Sequence, residues 1–277
     1  MVFETHIINN DSFGKYVDQL IYFKDYDPEH SFERIVPNGT TYLVIELDGK
    51  IRFEIDNHTL QKGSKRIEAW LSGMHNEFIT ISTVPQSEMF VIQFKANGLY
   101  PFLHQPISKL NNKIVHAEEV FGRGIRSLRV ELLKTKTPND KFLICNKWLS
   151  QRYSESHRPH TAVSLVCDQI KTYENIELNN VTSLISQTGL SKKHFIQLFK
   201  KYVGLIPKQY QRIVRFNGIL SLIQENKKVE WTQIAYSCGY YDQSHFIKEF
   251  KLFCGINPSI FIKNYKEIDR NNFFPIE

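Results

Sequence analysis

The feature that most constrains this chain is an internal repeat. Residues 194–207 read HFIQLFKKYVGLIP and residues 245–258 read HFIKEFKLFCGINP. Aligned without a gap they agree at seven of fourteen positions: His194/His245, Phe195/Phe246, Ile196/Ile247, Phe199/Phe250, Lys200/Lys251, Gly204/Gly255 and Pro207/Pro258. Each copy has the plan of a short helix, a turn containing Gly, and a second helix. In the first copy the short helix runs through Leu184 and Ile185 and turns at Gly189. Ser191 then caps a helix to about Tyr202, Gly204 ends it, and Pro207 opens a long helix to about Gln224. In the second copy residues 230–239 form the short helix, Asp242 is the N-cap of a helix to about Phe253, Gly255 is the stop, and Pro258 starts the last helix. The plan is that of a helix-turn-helix, whose second helix can enter the major groove of DNA.

Periodicity separates the faces of these helices. Phe195, Leu198 and Phe199, and in the copy Phe246, Phe250 and Phe253, fall on one stripe and are expected in the core rather than as a stacking platform for bases. On the long helix Tyr210, Ile213, Val214, Ile219, Leu220 and Ile223 are available for burial. The positions left outside are Lys192, Lys193, Ile196, Gln197 and Lys200 in one helix and Gln243, Ser244, Ile247, Lys248 and Lys251 in the other. For His245, groove contact and packing are equally open.

Charge follows the repeat. Residues 1–159 carry 20 Lys and Arg against 19 Asp and Glu, whereas residues 160–277 carry 15 against 10. Thr188–Arg215 holds Lys192, Lys193, Lys200, Lys201, Lys208, Arg212 and Arg215 without one acid. Solvated faces ordinarily mix signs, so the run reads as a footprint for phosphate.

The first hundred residues carry a different period. The segments 41–49, 50–56, 77–84 and 89–98 are rich in Val, Ile, Phe, Tyr and Thr between turn residues, which predicts short strands in a sandwich or small barrel. From about Phe121 the spacing becomes helical, with Ile125, Leu128, Leu132 and Leu133, then Phe142, Leu143, Trp148 and Leu149. The polar segment 150–161 is the expected linker. The sequence thus predicts an α+β chain of two domains: a β-sandwich or barrel with flanking helices, then an all-α domain.

No run approaches the roughly 18 apolar residues of a membrane span, and the start lacks the pattern of a secretory signal, so a cytoplasmic location is expected. Cys145, Cys167, Cys238 and Cys254 lie too far apart for a zinc site or a disulfide scaffold and are expected as reduced, mostly buried thiols. Nucleotide-binding loops, a nucleophile elbow and a zinc-protease motif are all missing from the sequence. His58, His75, His104 and His116 are scattered, and Glu118 and Glu119 are adjacent and diverge on a helix. The expectation is a protein that is not an enzyme and needs no metal or other cofactor.

Residues 234–261, IAYSCGYYDQSHFIKEFKLFCGINPSIF, resemble the signature of the AraC/XylS transcription regulators. The matching residues are Ile234-Ala235, Gly239-Tyr240, Phe246, Phe250-Lys251 and Gly255-x-x-Pro258. The resemblance covers about residues 163–264 and implies a DNA-binding domain in which the long helix near 207–224 holds two helix-turn-helices, reading major-groove segments about 34 Å apart. Carried over by position, it implies DNA contacts from Lys192, Lys193, Ile196, Gln197 and Lys200 and from Gln243, Ser244, His245, Lys248 and Lys251. Where many relatives have Arg, this chain has Gln197 and Lys248. Gln197 suits adenine, Lys248 a guanine or a phosphate, and Ile196 a thymine methyl unless it is half-buried.

Residues 1–155 resemble more distantly the cupin-like sensor or oligomerisation domain that precedes such regulators, on the segments 34–49 and 91–122. The partners implied are double-stranded DNA, a small-molecule effector, a second copy through the helices of residues 121–153, and RNA polymerase for an activator, with no membrane. Lys95, Tyr42 and Trp70 are candidates for lining a pocket, though core and surface roles weigh against each. The alternative is a cupin-like metabolite-binding or enzymatic protein with a helical protein-interaction appendage.

Overall fold

Thr41–Glu46 shows in six residues how the N-terminal half is built. Leu43 and Ile45 enter the main core while Tyr42 and Val44 belong to a second, smaller apolar cluster, so the strand has no solvent face. The structure, a computed structural model, describes residues 1–10, 12–172, 181–225, 231, 240, 242–265 and 272–276. Among these residues lie β1 (Val2–His6), β2 (Val17–Tyr26), β3 (Phe32–Ile35), β4 (Thr41–Glu46), β5 (Arg52–Ile55), β6 (Lys62–Arg66), β7 (Ala69–Ser72), β8 (Ile79–Ser82), β9 (Ser87–Phe94), β10 (Ile114–His116) and β11 (Phe273–Ile276). They form two antiparallel sheets, one in the order β1-β2-β9-β4-β7-β10 and the other in the order β11-β3-β8-β5-β6.

Side chains of a strand alternate between faces, and the first sheet uses both. Leu20, Leu43, Leu71, Phe90 and Ile92 enter the main core. Ile21, Phe23, Tyr42, Val44, Trp70, Met89 and Val91 make up the smaller cluster, which Ile79 and Ile81 of the second sheet join. The core side is covered by α1 (Tyr100–Leu103), α2 (Ala117–Phe121), α3 (Gly124–Lys134) and α4 (Pro138–Arg152). Helix α4 reaches β9 through the rings of Phe142 and Phe90, 5.7 Å apart. Four of the strands are those expected from sequence. The other seven, β2 and β7 among them, lie outside the expected segments; VDQLIYFKDY and AWLS show no strict alternation of polar and apolar residues.

A single 3-10 turn, Glu155–His157, separates α4 from α5 (Thr161–Thr172). Then come α6 (Val181–Ser186), α7 (Lys192–Val203), α8 (Pro207–Glu225), α9 (Gln243–Cys254) and α10 (Pro258–Tyr265). Of the short helix expected at residues 230–239, only residue 231 is among the described residues. Cys145, Cys167 and Cys254 are buried free thiols, and Cys238 lies outside the described residues. No helix among the described residues is long and apolar enough to cross a membrane.

Two features depart from the expected separation of a β half from an all-α half. One apolar cluster runs through both, joining Leu103 and Ile107 to Tyr202, Val203 and Leu205. The chain also ends in a strand, with β11 paired to β3 in the N-terminal sheet. The sequence FFPI supplies apolar side chains on both faces of β11, and Pro275 is tolerated because β11 is an edge strand.

Because Leu43 meets packed helices and Val44 faces a cavity, the two should respond differently to truncation. Leu43→Ala is expected to cost about 2–5 kcal/mol in urea unfolding. Val44→Ala, although similarly buried, should cost less than about half of that, because the space beyond it is already empty. Equal costs would contradict the arrangement of the two faces.

Candidate nucleic-acid interface and internal cavity

The two repeat helices are built by the same local rules. In α7 the side chain of Ser191 accepts a hydrogen bond from the backbone N–H of His194 (3.3 Å), and in α9 Asp242 accepts one from His245 (2.7 Å). Each occupies one of the donors a helix start leaves open. At the other end Gly204 (φ 95°) and Gly255 (φ 73°) adopt the left-handed conformation, their N–H groups donating to Lys200 O (3.0 Å) and Lys251 O (2.8 Å). Phe195, Phe199, Tyr202 and Val203 are buried in α7, and Phe246, Glu249, Phe250, Phe253 and Cys254 in α9.

Both helices lean on α8. Its Tyr210 ring lies 5.9 Å from Phe199, and its Phe216 ring lies 5.3 Å from Phe250 and 4.9 Å from Phe253. Phe216 takes a place in this core that the sequence reading omitted, and Val214 is only half-buried.

The opposite faces carry the residues singled out from sequence. Lys192, Lys193, Gln197 and Lys200 on α7 are exposed, and so are Gln243, Ser244, His245, Lys248 and Lys251 on α9. Ile196 is half-buried. His245 is exposed and also packs its ring 5.4 Å from that of Tyr240, so both of its open roles have a physical basis.

The basic run needs correction. Arg212 and Arg215 point from α8 to Glu249 on α9, with Nε–Oε2 and Nη2–Oε1 distances of 2.6 Å each. Arg215 also lies 4.0 Å over the Tyr240 ring, and the Tyr240 hydroxyl donates to Glu249 Oε1 (2.7 Å). Lys201 sits over Tyr100 and Tyr202, 5.3 and 5.1 Å from their ring centres. Of the seven cations, Lys192, Lys193, Lys200 and Lys208 remain as exposed positive charge. Glu249 itself went unread, yet it stands at the position of Leu198 in the first copy, on the core-facing stripe. Burial alone would raise its carboxyl, but Arg215, the Tyr240 hydroxyl and Arg212 outweigh burial and hold it below the usual carboxylate range.

The N-terminal half touches both repeat units at corresponding points. A Cβ on Gly204 would lie 3.3 Å from Ile107 and Met74, and one on Gly255 would lie 2.7 Å from the Phe78 ring. Arg34 donates to the carbonyl of Cys254 (2.9 Å), and the Tyr100 ring meets Tyr202 edge-on at 4.7 Å. Between the two sheets is a cavity of about 360 Å³, with Tyr42 and Trp70 among its walls. Lys95 lies outside that lining, its N–H bonded to Tyr16 O (3.0 Å).

These features define the class: residues 184–264 match the Helix-turn-helix domain family. The match falls on the part of the chain whose sequence resembles the AraC/XylS regulators. Residues 10–116 match a domain of unknown function, DUF6597. The HTH-type transcriptional regulator ArgR of Pseudomonas aeruginosa is 26% identical over 144 residues, 52% of this chain and 40% of that protein. The probable transcriptional regulator LumQ of Photobacterium leiognathi is 34% identical over 80 residues, 29% of this chain and 32% of LumQ. The chain thus spans well under half the length of these curated relatives. A crystal structure of ToxT from Vibrio cholerae aligns over 97% of this chain and 99% of ToxT, with 15% identity and a TM-score of 0.44.

Removing Glu249 should leave two arginines without their shared partner. Arg212 keeps 35% of its side chain exposed, so Glu249→Ala is expected to cost about 2–3 kcal/mol, toward the low end of breaking a buried pair. Because the folded pKa is depressed, this contribution is complete above the unfolded carboxylate value of about 4.3 and is lost as pH falls through the folded value. Thermal melts from pH 7 downward should therefore show the wild type losing its advantage over Glu249→Ala only below about pH 4.3.

Proposed function

We propose that this chain is a sequence-specific DNA-binding transcription regulator. Helices α7 and α9 read successive major-groove segments, and the N-terminal half binds a small-molecule effector in the cavity between its sheets. The observation that carries this reading is the doubled construction: two helices with the same caps and buried stripe present Lys, Gln, Ser and His on the opposite side. Lys192, Lys193, Ile196, Gln197 and Lys200 contact one segment, and Gln243, Ser244, His245, Lys248 and Lys251 the other. Gln197 has the chemistry to read adenine N6 and N7, and Lys248 to meet a guanine or a phosphate.

Because the two halves share a core, the test uses the whole chain. Selection from random duplex DNA should enrich two boxes about 34 Å apart, one helical turn. Lys193→Ala and Lys248→Ala should each weaken binding to the selected duplex. For a lost phosphate contact, the slope of log K against log salt should become shallower by about 0.9. Unchanged affinity and slope in both variants would sink the groove assignment.

Self-association belongs to the same reading. Ile125, Leu128 and Leu132 are spent on the chain's own core, which leaves Val130, Leu133 and Leu143 exposed on α3 and α4 as the face for a second copy. Gel filtration that finds only monomer at micromolar concentration would exclude this dimer.

A further inference from the structure

The cavity between the sheets is not enclosed by the N-terminal strands alone. β11 runs antiparallel along β3, with Phe273 opposite Ile35 and Ile276 opposite Phe32. Phe273 lines the cavity. Phe274, 3% exposed, has its ring 4.8 Å from Phe261 of α10. Strand alternation thus gives this segment one side on the cavity and the other on the DNA-binding half.

Asn272 extends the connection. It also lines the cavity, its carbonyl accepts from Val36 N (2.8 Å), and its Nδ2 donates to Asn217 Oδ1 (2.8 Å) on α8. Asn217 in turn donates to the carbonyl of Pro37 (2.8 Å), another residue of the cavity wall. One short segment therefore touches the cavity, its rim and the helix on which both repeat units lean.

The lining also carries chemistry. Its charged or titratable members other than tyrosine are Glu33, Arg52 and His75. Arg52 is 2% exposed and its charge is met by Glu46 and Asp48, the latter at 2.7 Å. The hydroxyl of Tyr26 donates to Glu33 (3.3 Å). His75 pairs with Ser72 Oγ (3.0 Å), and burial lowers its pKa to about 4, so the ring is neutral at pH 7. The lining therefore offers no uncompensated cation to an anionic ligand, and aromatic and aliphatic side chains with a Gln19–Gln93 amide pair (2.9 Å) make up much of the rest. The volume of about 360 Å³ falls within the ~300–1,000 Å³ of small-molecule sites.

We propose that the C-terminal strand is a working wall of the effector site, which takes an uncharged, largely apolar molecule and grips it only when this strand is docked. The inference rests on the cavity being the effector site. By linkage, ligand and docked tail stabilise each other, and the tail carries the effect to Asn217 and Phe261.

The test uses the full chain and two fluorescent probes, uncharged N-phenyl-1-naphthylamine and anionic 8-anilinonaphthalene-1-sulfonate. The uncharged probe should bind saturably at one site and at least about tenfold more tightly than the anion. Val91→Trp, which fills the cavity, should abolish binding. Phe273→Ala, and a chain ending after residue 271, should weaken it by about tenfold or more. Phe273→Ala removes only the ring on the cavity, and circular dichroism of both variants checks that the fold is kept. In a Phe32→Cys/Ile276→Cys variant, a disulfide between the facing residues should form in native buffer and preserve probe affinity.

Absence of probe binding to the wild type, or binding that survives Val91→Trp, would overturn the cavity reading and the inference with it. If Val91→Trp abolishes binding but Phe273→Ala and the shortened chain bind as the wild type does, the cavity reading stands and the wall is refuted. Failure of the disulfide to form would likewise refute the docked tail, and tighter binding of the sulfonate would refute the ligand class.

Discussion

Everything in the C-terminal half depends on how α8 divides its buried surface between two neighbours. Tyr210, near its start, receives α7 through Phe199, and Phe216, less than two turns on, receives α9 through Phe250 and Phe253. Neither repeat helix is long enough to persist alone in water. Burial against this shared helix fixes their angle and separation, and with them the spacing of any surface they present to DNA. Side chains facing away from α8 can vary without disturbing that frame.

The two attachments use different physics. α7 is held on its inner face by apolar groups, with Leu198 half-buried beside Phe195 and Phe199. α9 has Glu249 at the matching position, and geometry rather than volume sets its seat, since one carboxylate must meet Arg212, Arg215 and Tyr240 together. A buried charge cluster tolerates misplacement poorly, so it narrows the positions α9 can adopt. The pH sensitivity that Glu249 brings therefore acts on the seat of α9.

What could be read from the sequence was whatever is decided locally. Ser191, Asp242, Gly204 and Gly255 act through bonds to residues three or four places away, so their roles show in a short window. The aromatic stripes of α7 and α9 are periodic and equally visible. Glu249 is not, because its meaning depends on two arginines of another helix, although its alignment with Leu198 was a usable signal. β11 was hidden for a related reason: four residues carry no period, and their partner β3 is more than 230 positions away. The cavity was obscured because β4 is apolar on both faces, and only the second sheet decides which face is packed and which is hollow. Arg212 and Arg215 illustrate the opposite error, since charge counted along the chain does not reveal which charges are already spent.

Gly204 and Gly255 each end a repeat helix, and each also leaves a notch that the N-terminal half fills, with Met74 and Ile107 at one and Phe78 at the other. The N-terminal half therefore holds the repeat at two homologous points instead of one. A body gripped at a single point can only swing, whereas one gripped at two is carried whole. Because α8 already sets the pitch between α7 and α9, a displacement of Met74 and Phe78 together would carry both helices as one piece, and a displacement of one against the other would be resisted by the packing on α8.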